Sequence, residues 1–188
     1  DVLGQIVGAL KDGGVRAVEV TFNTGGAVEM LKELADKYGA DMQVGAGTVL
    51  DSETARVAIL AGATFILTPI LNHGVIQMGH RYGVPVIPGV MTPTEALTAW
   101  EAGARMVKIF PADSLGPGYF KNLRGPLPQL EMVPVGGVSL DNAAAFIKAG
   151  AVALGVGGEL VDKDLIAQGR WDELRSEERR VGKECRSR

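Results

Sequence analysis

The sequence predicts an α/β fold, specifically a (β/α)8 barrel, and three observations carry that prediction. Short apolar runs recur about every twenty residues, and most follow a glycine. Helical stretches separate them. The residues able to do chemistry gather at the C-terminal ends of the runs.

Six runs share the pattern: "GGVRAVEVTF" (13–22), "YGADMQVGAG" (38–47), "AGATFILTP" (61–69), "YGVPVIPGV" (82–90), "AGARMVKIFP" (102–111) and "AGAVALGVGG" (149–158). A seventh, "LPQLEMVPVGG" (127–137), has the apolar run without the glycine. Each glycine falls where a helix should end, at a position whose left-handed backbone glycine adopts most cheaply. Each run is short and continuous, as a strand buried on both faces is. Helices are predicted over "AVEMLKELADKY" (27–38), "DSETARVAIL" (51–60), "TPTEALTAWEA" (92–102) and "SLDNAAAFIKA" (139–149). Asp51 or Ser52, Thr92 ahead of Pro93, and Ser139 or Asp141 are the expected caps.

Seven strands alternating with crossover helices form a parallel sheet with both faces covered. The chain opens in a helix-like stretch, "DVLGQIVGALKDGG", that should itself follow a strand. Supplying that strand makes eight, so the expectation is a TIM barrel lacking its first strand and most of its last helix. An open doubly wound sheet is the alternative, and it explains the even repeat less well. The barrel domain is expected over 1–174. The stretch "RSEERRVGKECRSR" (175–188) has no apolar periodicity and resembles the translation of a sequencing adapter, so a non-native or disordered tail is expected there.

Composition narrows the function classes. A chain of 188 residues, 46% hydrophobic, suits one domain with a sizeable core. The formal charge of −3 gives no electrostatic basis for binding nucleic acid or an anionic membrane. No apolar run approaches the roughly 20 residues of a membrane helix. The single cysteine, Cys185, allows neither a disulfide framework nor a Cys-based metal site, and a reducing cytoplasm is the expected location.

In a barrel of this type the chemistry sits at the C-terminal strand ends. Those ends carry Glu19, Thr21 and Asn23, then Thr48, Thr68 and Pro69, then Thr92, Lys108, Phe110 and Asp113, and finally "VGG" (135–137) and "GVGG" (155–158). Lys108 stands out, because a lysine inside an apolar strand is seldom buried without a partner or a task. With the missing strand counted as the first, Glu19 lies on the second and Lys108 on the sixth, opposite each other. Side chains alternate along a strand, so Lys108 and Phe110 share the face that Val107 and Ile109 do not.

One reading of Glu19 and Lys108 is an ion pair holding the barrel, which is a poor source of stability once both charges are desolvated. The other is chemical. Burial lowers a lysine's pKa, and the neutral amine attacks a ketone to give a Schiff base, an electron sink for breaking or forming a C–C bond. Glu19 would then move the protons. The glycine pairs are either tight turns or a phosphate site built from backbone N–H groups. "GAGT" (45–48) lacks the spacing of a dinucleotide fingerprint. His73 and His80 are expected at the surface or as caps. No metal and no cofactor are predicted.

The motifs "AVEVTFNT", "GAGTVL", "FILTP", "PVIPGVMTPTEAL", "VKIFPAD" and "PVGGVSLDN" occur in order from about residue 10 to about residue 173. Together they resemble the 2-keto-3-deoxy-6-phosphogluconate (KDPG) aldolases, with the related galactonate (KDPGal) and 4-hydroxy-2-oxoglutarate (KHG) aldolases. The resemblance implies a class I, metal-independent lyase. It implies Lys108 as the Schiff-base lysine and Glu19 as general acid/base. It implies Thr48 at the pyruvate carboxylate, Pro69 and Phe110 as pocket walls, and Gly136, Gly137, Gly157 and Gly158 at the phosphate. A homotrimer acting on a phosphorylated 2-keto acid is implied too. Three positions depart from the pattern: Asn23 stands where many members have Arg, Val135 where many have Thr, and Gly158 where many have Ser. Asn23 and Val135 together resemble the galactonate-type enzymes. A phosphosugar isomerase or epimerase on the same barrel, and a non-catalytic sugar-phosphate-binding protein, are the rival readings.

Overall fold

A computed structural model describes residues 2–158 and 160–174. The chain runs α1 (Val2–Gly13), β1 (Ala17–Thr21), α2 (Ala27–Tyr38), β2 (Gln43–Gly47), α3 (Ser52–Leu60), β3 (Ile66–Leu67), α4 (His73–Tyr82), β4 (Val86–Ile87) and β5 (Gly89–Val90). It continues through α5 (Pro93–Glu101), β6 (Met106–Ile109), α6 (Ala112–Arg124), β7 (Glu131–Pro134), α7 (Leu140–Lys148) and α8 (Lys163–Ala167).

Every strand pair is parallel, and spatial order follows chain order, β1-β2-β3-β4 and then β5-β6-β7. Sequential parallel strands joined by crossover helices are the arrangement of a (β/α)8 barrel. Two of the predicted strands differ in detail. The run 82–90 is split into β4 and β5 around Pro88, which has no N–H to give a ladder. Its carbonyl still accepts from the Lys108 amide at 2.8 Å, so β6 follows on without a gap. The run 149–158 makes one parallel bridge, Val135 to Gly155, rather than a strand. Its glycine-rich end has little side chain to pack, which weakens a strand.

Local chemistry sets the helix boundaries. The Asp51 side chain accepts from the Thr54 amide at 2.6 Å and starts α3. Thr92 and Glu95 form a reciprocal capping box at α5. The Ser139 amide donates to Asn142 at 2.9 Å before α7. Gly62, Gly83, Gly103 and Gly150 take the left-handed conformation expected of helix-ending glycines. Gly39 does not. It stays right-handed at φ −59 and continues the turn, its amide donating to the Ala35 carbonyl. The sequence pattern predicts no helix over α6, because Gly116 and Pro117 fall in its middle. The backbone breaks there, at φ 68 and ψ 171, and two short helices meet at the kink.

The main core lies between the strands and the surrounding helices. Val44, Ala46, Ile66, Val107, Ile109 and Met132 are fully buried on the strands. Leu31, Ala55, Ala58, Ile76, Ala96, Ala99, Phe120 and Phe146 meet them from the helices. Alanine on α3 and α5 lets those helices approach the sheet closely. Phe120 of α6 packs edge-on against Phe146 of α7 with centroids 5.2 Å apart, a geometry contributing about 0.5–1.5 kcal/mol beyond area burial.

Candidate active site

The alternation along β6 places Lys108. Val107 and Ile109 are wholly buried, and the side chain between them is 6% exposed. Lys108 lies in register with Gly89 on one side and Val133 on the other. Its Nζ sits 4.6 Å from the centre of the Phe110 ring, so the two residues share a face as the sequence predicts. Gly89 has no room for a side chain, since a Cβ there would come within 2.8 Å of the Ile70 amide nitrogen and closer still to the Pro69 carbonyl. Wholly buried Thr68 accepts from the Gly89 amide at 3.2 Å and donates to the Ile70 carbonyl. Pro69 is thereby pinned beside β5.

Glu19 sits on β1 with Val20 buried beside it. Its carboxylate lies against the Cα of Gly47 on β2. Glu19 keeps solvent-accessible surface, yet protein surrounds the carboxylate closely enough that desolvation raises its pKa, opposed by the charge of Lys108. Burial lowers the pKa of Lys108, opposed by Glu19. Desolvation outweighs attraction at both groups, so each is pushed toward its neutral form. The two sense each other's charge, as opposing strands of one cavity should. Among the described residues they form no direct ion pair, which removes the basis for reading them as a structural clasp.

Thr48, at the end of "GAGT", is half-buried and has φ 55. A β-branched residue in the left-handed region stores strain of order 1–3 kcal/mol. The sequence marks Thr48 by motif alone; its strain is visible only in the backbone. Asn23 is exposed on the turn between β1 and α2, held by the Phe22 amide donating to the Gly47 carbonyl at 2.8 Å.

The two glycine pairs behave alike. The amides of Gly136, Gly137, Gly157 and Gly158 donate to no protein acceptor among the described residues. The carbonyls of the first loop are engaged: Val135 accepts from the Ala112 amide, Gly136 from the Asp113 amide, and Gly137 from the Asn142 side chain. Phe110 lies over Gly136, where a Cβ would be 3.3 Å from its ring. Asp113 lies against Gly137, where a Cβ would be 2.9 Å from the carboxyl carbon. Val135 covers Gly155, where a Cβ would fall 2.6 Å from the Val135 side chain. Two further residues went unread in the sequence. Glu95 accepts from the Met91 and Thr92 amides, and the Tyr119 hydroxyl donates to the Met91 carbonyl at 2.8 Å, together clamping the loop after β5.

Other features lie away from this site. His73 and His80 are exposed, and His80 Nε2 is 3.2 Å from the Gly103 carbonyl oxygen. Among the described residues no three His, Cys, Asp or Glu side chains form a metal-ligand group, and no helix is long and apolar enough to cross a membrane. A largely apolar cavity of about 790 Å³ opens at the opposite, N-terminal strand ends, between Ala17, Gln43, Phe65, Met106 and Glu131.

Known proteins resemble this chain in sequence and in fold. The family model "Aldolase: KDPG and KHG aldolase" matches residues 1–176. The chain is 41% identical to a 2-dehydro-3-deoxy-6-phosphogalactonate aldolase of Escherichia coli K12 over 155 residues, 82% of this chain and 76% of that protein. It is 34% identical to a 2-dehydro-3-deoxy-phosphogluconate aldolase of Pseudomonas aeruginosa over 167 residues, 88% of this chain and 76% of that one. A solved native KDPGal structure superimposes with a TM-score of 0.91 at 34% identity, covering 98% of this chain and 88% of that one. The Legionella pneumophila KDPG aldolase, solved with pyruvate captured as a covalent carbinolamine, superimposes at 0.87 with 26% identity, covering 96% and 87%. Fold and sequence similarity thus define a barrel enzyme that makes and breaks carbon–carbon bonds. The chain belongs to the KDPG and KHG aldolase family.

Proposed function

We propose that this aldolase cleaves a 2-dehydro-3-deoxy-6-phospho sugar acid to pyruvate and D-glyceraldehyde 3-phosphate through a Schiff base on Lys108. The observation that carries the reading is a buried lysine pushed toward its neutral form and electrostatically coupled to a carboxylate it does not touch. The neutral amine adds to the C2 ketone, and the carbinolamine loses water to give the iminium. The C3–C4 bond then breaks, its electron pair passing into the enamine. Glu19 takes the C4 hydroxyl proton as the aldehyde leaves. Protonation of C3 and return of one water release pyruvate and restore the amine.

The remaining residues hold the substrate. Thr48 and Asn23 face the pyruvyl carboxylate end, while Pro69 and Phe110 wall the pocket. The unpartnered amides of Gly136, Gly137, Gly157 and Gly158 receive the phosphate, as anion sites built on backbone N–H groups do. Val135 has no hydroxyl to read the C4 configuration, which favours the galactonate epimer. The same imine chemistry extends to 4-hydroxy-2-oxoglutarate, giving pyruvate and glyoxylate. The setting is cytoplasmic.

The assembly is a homotrimer. One solved neighbour, a cage designed by fusing symmetric oligomeric domains, superimposes with a TM-score of 0.90 at 34% identity. Leu50, Ile70 and Met91 also expose large apolar side chains just past the ends of β2, β3 and β5. Light scattering should give three times the protomer mass; a monomer would remove the trimer from this reading.

The function is tested by pyruvate release from the gluconate and galactonate 6-phospho acids and from 4-hydroxy-2-oxoglutarate. Turnover on a phosphorylated acid, fastest with the galactonate epimer and lost in Lys108→Ala, is expected. Wild-type rates in Lys108→Ala would overturn it.

A further inference from the structure

The interior of the barrel is fitted by pairing glycine with a large neighbour. A Cβ at Gly45 would meet the Phe65 ring, and one at Gly155 would meet the Val135 side chain. At Gly47 the neighbour is not a packing residue but Glu19. A Cβ built there falls 2.6 Å from Oε2, 2.8 Å from Cδ and 3.1 Å from Oε1 of Glu19. The three nearest atoms all belong to that one carboxylate. Gly47 is paired with Thr21 in the β1–β2 ladder, one alternation beyond Glu19 and Gly45. Its backbone is not left-handed, so the conformation itself does not demand glycine.

We infer that Gly47 is a positioning residue, the seat that lets the Glu19 carboxylate lie against the floor of strand β2 at the place where it exchanges protons with substrate. The inference rests on Glu19 acting as the general acid/base. A methyl group at 47 occupies the space of the carboxylate and forces it off that seat, while Lys108, several strands away, keeps the burial that lowers its pKa. The loss therefore falls on proton transfer and leaves the amine able to form an imine. A positioned acid/base contributes about 10²–10⁴-fold, and displacing it by roughly an ångström forfeits much of that.

The test is a double-mutant cycle between Gly47→Ala and Glu19→Ala, read by kcat, by melting temperature and by borohydride trapping of pyruvate on Lys108. Gly47→Ala should lower kcat about 10²-fold with the Lys108 adduct still trapped. In the Glu19→Ala background the same substitution should change kcat less than about twofold, because its target is gone. If Gly47→Ala alone fails to fold, the double variant should fold, since the clash is with Glu19 only. Wild-type kcat in Gly47→Ala, an undiminished further loss in the Glu19→Ala background, or a double variant that also fails to fold would each overturn the inference. Full activity in Glu19→Ala alone would overturn the proposed role of Glu19 and this inference with it. Loss in Glu19→Ala without loss in Gly47→Ala would overturn only the seat.

Discussion

Replacing Lys108 by Met should make the protein more stable while destroying its activity. Met nearly matches the lysine stem in length and carries no charge. Lys108 is 6% exposed and makes no ion pair among the described residues, so its desolvation cost is offset only in part, by the Phe110 ring its ammonium lies over. Apolar replacements of buried charged groups are often neutral to about 4 kcal/mol stabilising. Glu19 loses a favourable neighbouring charge but retains solvent access, which subtracts about 1 kcal/mol or less. A net gain of about 2 kcal/mol follows, or roughly 4–8 °C in Tm for a chain of this size.

The pH dependence fixes the mechanism. Lys108 in the folded protein titrates below its ordinary 10.5. Between the two values the unfolded chain binds more protons, so wild-type stability rises with pH across that window. Below it the folded protein bears the full cost of a charged amine. Glu19 is shifted the other way, above its ordinary 4.5, so its contribution falls as pH rises through that window. Removing Lys108 also removes the charge that holds the Glu19 pKa down, which takes back part of the gain once Glu19 ionises. Both effects make the advantage of Lys108→Met largest at mildly acidic pH and smaller toward pH 10. Urea unfolding followed by circular dichroism from pH 5 to pH 10 measures it. A variant less stable than wild type at every pH, or an advantage growing with pH, would refute the claim that burial lowers the pKa of Lys108.

Three further expectations follow from other contacts. Gly89→Ala drives a methyl into the Pro69–Ile70 backbone, so it should cost about 2–3 kcal/mol in urea unfolding and raise KM; a neutral effect would show that Pro69 is not pinned there. Thr48→Gly relieves the left-handed strain and should leave stability equal or higher, while kcat/KM falls about tenfold through loss of the hydroxyl; a clear destabilisation would contradict the strain. Asp113→Asn removes a negative charge beside the Gly136–Gly137 amides, and should lower KM for the phosphorylated acid about fivefold at low salt, with less effect on 4-hydroxy-2-oxoglutarate. An equal effect on both substrates would place the phosphate elsewhere.

Legibility in the sequence followed the physics of each feature. Lys108 was readable because few arrangements accommodate a charge within an apolar run, and alternation then assigned its face. Asp51 and Thr92 were readable because capping is a contact over three residues, local enough to show as a pattern. Helix α6 was hidden because Gly116 and Pro117 read as a break, and they are one, at the kink where two short helices meet. The run 149–158 has the composition of a strand but too few side chains to hold more than a bridge. The strain at Thr48 and the closeness of Gly47 to Glu19 lie beyond local reading. The first is marked by a backbone angle, the second by a carboxylate from the neighbouring strand, and neither leaves a trace in residue type. The predicted tail, 175–188, lies outside the described residues.

The central claim is that burial makes Lys108 a nucleophile toward a 2-keto acid. Incubating the protein with pyruvate and borohydride, then mapping the product by peptide mass spectrometry, tests it most directly. The account predicts a reduced pyruvyl adduct on the peptide carrying Lys108 and on no other lysine peptide at comparable yield. A folded sample whose Lys108 peptide stays unmodified would contradict it.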